Sequence, residues 1–284
     1  MSKLDTAKIM LYNSFISEIN KYIFTDKFYI NRDKAENGFN LLKDGKYIDI
    51  IKRIKGPYTE RLKTYENNNI CPFKYDVNIF SHNMKSKSEG HFDKEVLYTK
   101  LLNYFFNIKD IGIYLYRSIL KSIGKSTVFD ETEEINSEAE KEIKVNNRTR
   151  RLDIFIKTSN SCSIIEAKIN SGVHDKQLGD YIAYGNDNKV DYFIYLVLDK
   201  NKFIEDDNWH NITWSQLACA LYAGLIKSQK QHTPAGIYLQ FFISNIFYHL
   251  YDVDYYNIEG KPFSDSFHSI RYIIDFINNV ENMA

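Results

Sequence analysis

Between residues 145 and 198 the chain passes through two short apolar stretches joined by turn residues, then a segment of helical spacing, then a third apolar stretch. Leu152, Ile154 and Ile156 alternate with Asp153, Phe155 and Lys157, the period-two pattern of a strand. Ile164 and Ile165 form a second short run that ends in Glu166, Ala167 and Lys168. Thr158-Ser159-Asn160-Ser161 between them is turn chemistry, so the two runs read as a hairpin. Asp153 and Glu166 lie 166 − 153 = 13 residues apart, a separation that lets two strands and a short turn bring them together across the ladder. Glu166 and Lys168 share one strand face and Ala167 takes the other. Gln177 and Tyr181 follow at i and i+4, on one side of a helix.

Two carboxylates held side by side repel unless a cation lies between them. Hard oxygen donors suit Mg²⁺ or Mn²⁺. The expected ligands are Asp153, Glu166 and the backbone carbonyl of Ala167, with Lys168 holding or deprotonating the attacking water and offsetting charge on a phosphate. A metal in that place stabilises the charge of the transition state.

These residues resemble the PD-(D/E)xK nuclease superfamily, and within it the RecB-like bacterial branch. Asp153 matches the first acid, Glu166-Ala167-Lys168 the E-x-K triplet, and Gln177-Leu178-Gly179-Asp180-Tyr181 the Q-x-x-x-Y motif. The usual proline before the first acid is replaced by Leu152. Asp76-Val77-Asn78-Ile79-Phe80-Ser81 is similar to the family's F-N-I-F box. Glu95 to Leu102 is similar to its E-x-x-H-S-x-x-L helix, with Tyr98-Thr99 where His-Ser is usual. Ile212-Thr213-Trp214 is similar to its I-S-Y helix start. The resemblance covers roughly residues 76–250. It implies catalytic roles for Asp153, Glu166, Lys168, Gln177 and Tyr181, the last two directed at the substrate phosphate and the site, and a further metal-binding acid in Glu95. Arg148, Arg150 and Arg151, just ahead of Asp153, are candidate nucleic-acid contacts, against the alternative of an ordinary hairpin exposed to water.

The fold class that follows is α/β: a restriction-endonuclease-like core with a central mixed four-stranded sheet flanked by helices, plus helical extensions at both ends. The strands are expected at about 139–145, 151–157, 163–169 and 192–198, with a helix from about 174 to 185. Residues 1–75 read as a helical extension, 76–212 as the core and 213–284 as helices packed on it. In the first segment Ile9, Leu11, Phe15, Ile16 and Ile19 make an amphipathic stripe, and the asparagine run Asn67-Asn68-Asn69 marks a boundary. The acid-rich stretch from Asp130 to Glu142 reads as a solvated loop. Gly124-Lys125-Ser126 mimics the end of a phosphate-binding loop, but the glycine required five residues earlier is Ile119, so no nucleotide site is expected.

Net charge is zero, with 37 basic and 37 acidic residues, so no global field draws nucleic acid to this chain. The three cysteines are widely spaced with no C-x-x-C pair, which argues against zinc or an iron–sulfur cluster; His91 and His174 read as surface residues. An odd cysteine count without a signal peptide fits a reducing cytoplasm, and no apolar run reaches membrane-spanning length. The functional expectation is a metal-dependent nuclease acting on DNA, in defence or repair. The alternative is an inactive module of the same fold that binds nucleic acid or a protein; retention of both acids and the lysine favours the enzyme. The superfamily's habit of cutting both strands leaves a homodimer open, although no heptad or apolar patch identifies an interface.

Overall fold

Five strands in the order β1-β2-β3-β4-β5 build one mixed sheet: β1 (Asn136–Val145), β2 (Arg148–Lys157), β3 (Cys162–Ala167), β4 (Tyr192–Val197) and β5 (Trp209–Thr213). The computed structural model describes residues 63, 67, 73, 94–125, 133–169, 176–255 and 263–283, all within the compact unit Ile51–Ala284. The amphipathic stripe of residues 9–19, the box at 76–81, His91 and His174 lie outside the described residues.

β1, β2 and β3 form an antiparallel meander, and β3, β4 and β5 run parallel. The sheet thus has five strands where the sequence led us to expect four. The fifth runs into the anticipated helix start at Ile212-Thr213-Trp214 and includes its first two residues, and that start is itself present. Thr213 caps α4 (Trp214–Lys227) in a capping box with Gln216. β1 begins earlier than the expected 139, so the acid-rich stretch is corrected in part: Glu138 belongs to the strand rather than to a loop, with Glu140 and Glu142 in the strand as expected. They fit an edge strand, where half the side chains face water and charge blunts further pairing.

Helices cover both faces. α1 (Lys94–Phe106) and α2 (Gly112–Ser122) precede the sheet. α2 ends at Gly124, whose φ of +74° only glycine adopts freely. The Tyr116 hydroxyl of α2 bonds Ser161 and Ser163, which fixes that helix against the start of β3. α3 (Gln177–Asn188) crosses from β3 to β4 on the opposite face. There Leu178, Ile182 and Tyr184 pack on Leu152, Phe155, Ile164, Phe193 and Tyr195. α5 (Pro234–Asn245), a π-helical turn (Ile246–Leu250) and α6 (Phe263–Met283) complete the chain beyond α4. Pro234 follows the capping Thr233, a position that suits proline's fixed φ and missing N–H.

The β1–β2 ladder steps from Ala139↔Ile154 to Lys141↔Leu152, and the pair between them, Glu140 and Asp153, is not part of it. Glu140 has φ +53°. Strict alternation fails at this point, so Leu152 and Phe155, three apart, both enter the cluster under α3.

Candidate active site

Asp153, Glu166 and Lys168 meet where β3 ends. Continuing the register Ile154↔Ile165 by one step sets Asp153 opposite Glu166. Asp153 Oδ2 accepts the Ala167 N–H at 2.8 Å, which locks the first acid to the strand carrying the second. Glu166 is fully buried. Its Oε1 takes the Lys168 ammonium at 2.6 Å and the Gln177 amide at 2.9 Å. Its Oε2 has no hydrogen-bond partner. The Asp153 carboxyl beside it can offer a hydrogen only when protonated.

Two further elements reach this point. From α1, Glu95 places Oε1 3.5 Å from Lys168 Nζ, and its Oε2 accepts the Ile169 N–H at 2.9 Å. From α3, Gln177 Nε2 also donates to the Tyr181 hydroxyl at 2.7 Å, and that hydroxyl donates to the Arg151 carbonyl at 2.6 Å. Tyr181 is 0% exposed. The resemblance pointed Gln177 and Tyr181 at the substrate phosphate and the site. In the structure Gln177 faces Glu166 within the site, and Tyr181 joins Gln177 to the β2 backbone.

Burial sets the electrostatics. It lifts the Asp153 carboxyl to about 6, against the pull of the Ala167 N–H and Lys168. It lifts Glu166 to about 8, with repulsion from Asp153 adding to the effect and Lys168 opposing it. Burial disfavours the Lys168 ammonium, but Glu166, Asp153 and Glu95 outweigh it and hold the lysine above its ordinary value. The site therefore carries a committed cation and two carboxyls that resist losing their protons together.

The three arginines separate. Arg150 donates to Asp180 Oδ2 through Nε and Nη2, each at 2.7 Å, while Arg148 lies 3.6 Å from the same oxygen. Asn146, in the turn between β1 and β2, adds a bond to Asp180 Oδ1 at 3.3 Å. Arg150 pulls the Asp180 carboxyl below the usual range. The clamp ties the β1–β2 hairpin to the first turn of α3, directly beyond Gln177. Sequence reasoning passed over Asp180, although it stands inside the Q-x-x-x-Y motif. Arg151 instead pairs with Glu140 at 3.2 Å.

The donor set fits a hard divalent cation. Asp153, Glu166 and the Ala167 carbonyl supply oxygen, and the unpartnered Glu166 Oε2 is a buried acceptor in need of positive charge. Among the described residues no group of three or more His, Cys, Asp or Glu side chains is disposed to hold a metal. Glu95, expected as a further ligand, here serves Lys168 and the Ile169 amide.

The sequence model of the PD-(D/E)XK nuclease superfamily matches residues 78–248 of the 284. No curated protein and no solved structure matches the chain. Among the described residues no helix is long and apolar enough to cross a membrane.

Proposed function

The chain belongs to the PD-(D/E)XK nuclease superfamily, and we propose that it is a metal-dependent nuclease that hydrolyses phosphodiester bonds in DNA. One observation carries this reading: Glu166 bonds Lys168 at 2.6 Å while its second oxygen is buried, unpartnered and beside Asp153. A buried carboxylate left with an empty acceptor is costly unless something charged completes it. Mg²⁺ or Mn²⁺, held by Asp153, Glu166 and the Ala167 carbonyl, would supply Lewis-acid stabilisation of the phosphate charge.

The chain's own groups do the rest. Lys168 stays protonated, so its part is to orient the attacking water and offset charge on the phosphate rather than to take a proton. Glu95 and Glu166 aim its ammonium from two sides. Gln177 fixes the rotation of the Glu166 carboxylate, and Tyr181 fixes Gln177. The inactive-module reading has less support, because both acids and the lysine are present and in mutual contact.

Incubating the purified protein with supercoiled plasmid and with linear duplex, in Mg²⁺, in Mn²⁺ and in chelator, tests the reading. Nicked circles in metal alone indicate an endonuclease, and loss of linear duplex alone an exonuclease. Intact substrates under every condition overturn the proposal.

A further inference from the structure

Glu140 occupies an unusual backbone for its place. It sits inside β1 with φ +53°, a left-handed conformation that L side chains rarely adopt, and it drops out of the ladder opposite Asp153. A strain of this kind persists when the surroundings impose it, and such strain gathers at functional sites. The geometry sets the Glu140 carboxylate between two cations on different elements. Oε2 meets Lys100 Nζ of α1 at 2.7 Å, and Oε1 meets Arg151 Nη1 of β2 at 3.2 Å.

The two cations are more than half exposed, at 54% and 57% of their side chains. Exposed ion pairs contribute little to stability, so stability does not account for gathering them on a strained acid. Arg150 differs. Its two 2.7 Å contacts go to Asp180, whose side chain is only 6% exposed, and this makes it part of the framework.

We propose that Lys100 and Arg151 are the pair that grips a DNA phosphate beside the carboxylate–lysine site, with Glu140 holding their place until the phosphate takes it. The proposal rests on the nuclease reading and names its substrate-binding cations. A carboxylate that offers one oxygen to each cation presents them as the two non-bridging oxygens of a phosphodiester do. Position agrees. Arg151 is two residues from Asp153, and its main chain is pinned by Tyr181 while its side chain is more than half exposed. Lys100 rides on the helix that carries Glu95. Glu140 stands opposite Asp153, between the ladder pairs Ala139↔Ile154 and Lys141↔Leu152.

The test is the binding of a fluorescein-labelled DNA duplex by the full chain across a salt series, with Ca²⁺ as the hard, oxygen-binding cation. Removing both cations (Lys100→Ala with Arg151→Ala) should weaken binding on the order of tenfold and flatten the dependence of log K on log salt by about 0.9, the share of one phosphate contact. Glu140→Gln should tighten binding, since the competing charge is gone. Lys189→Ala, an exposed lysine at the far end of α3, should leave the slope of the wild type. Circular dichroism checks that each variant is folded. A double variant with wild-type affinity and slope overturns the grip and leaves the nuclease reading standing. A wild type that binds no duplex at any salt overturns both.

Discussion

Gln177 Nε2 donates to Glu166 Oε1 across 2.9 Å, and its second hydrogen goes to the Tyr181 hydroxyl at 2.7 Å. The hydroxyl then donates to the Arg151 carbonyl at 2.6 Å. One amide therefore couples the central carboxylate to the backbone of the strand that presents Asp153. The rotation of Glu166 is not left to its own side-chain torsions, and its free oxygen is held next to the first acid. A site that must accept a cation gains from such preorganisation, because the ligand geometry is already fixed when the ion arrives.

Gln177→Ala and Tyr181→Phe should each slow DNA cleavage by roughly tenfold, less than Asp153→Asn, through kcat with KM little changed. Tyr181→Phe should also cost about 1 kcal/mol of stability, the usual scale of one buried hydrogen bond. Steady-state kinetics on a short duplex decides the matter. A rise in KM at constant kcat would return both residues to the phosphate-contact role that the motif implied.

Lys168→Ala should reduce cleavage by on the order of 10²–10⁴. It should also destabilise the metal-free protein, by up to about 3 kcal/mol at neutral pH, because the ammonium is nearly buried and serves two carboxylates. Urea unfolding in chelator would expose the difference, and a midpoint equal to that of the wild type would show the ion pairs to be energetically idle.

Most of the sheet could be read because its strands are short, apolar and punctuated. Ile164-Ile165 and Tyr192 to Leu198 leave few alternatives. β5 was missed because Trp209-His210-Asn211-Ile212-Thr213 puts its apolar residues three apart, after an Asp-Asp-Asn segment that reads as loop. Its place in the sheet comes from parallel pairing with β4, a long-range contact that no local pattern encodes. Glu140 shows the same limit. Its left-handed backbone accompanies contacts with cations on two other elements, whereas its sequence surroundings say only that the stretch is acidic. At the site, Asp153, Glu166 and Lys168 were legible from strand periodicity. Glu95 arrives from more than seventy residues away, so only the motif of its helix could point to it. Asp180 was overlooked because an acid in a helix's first turn is ordinarily a helix-dipole partner; the hairpin arginines that claim it are brought there by the fold.

The metal-free protein should lose stability as pH rises from about 4 to about 8. Burial raises Asp153 to about 6 from an ordinary 3.8, and burial with repulsion from Asp153 raises Glu166 to about 8 from 4.5. Within that window the folded chain binds more protons than the unfolded chain, and stability then falls with rising pH. Glu166→Gln removes one of the titrating groups, so its loss over the same range should be smaller. Thermal melts in chelator at several pH values measure both slopes. Parallel slopes in the two proteins would mean that Glu166 titrates as it does in the unfolded chain.

Asp153→Asn tests the metal site from the opposite direction. In the wild type without metal, ionised Asp153 repels charge on Glu166, and Lys168 compensates only in part. Replacing Asp153 by its neutral isostere relieves that repulsion, so the melting temperature in chelator at about pH 8, above the raised Asp153 value, should rise or hold. The same change deletes a ligand. A cation that binds only the folded state stabilises it by RT ln(1 + [L]/Kd), so saturating Mg²⁺ or Mn²⁺ should raise the wild-type melting temperature and leave that of the variant nearly unmoved. Calorimetry on both proteins, with chelator and with millimolar metal, gives the four melting temperatures needed. Equal metal-induced shifts would remove Asp153 from the ligand set. A wild type that shows no shift with either cation would leave the buried carboxyl pair as a structural feature and shift the balance to the inactive-module reading.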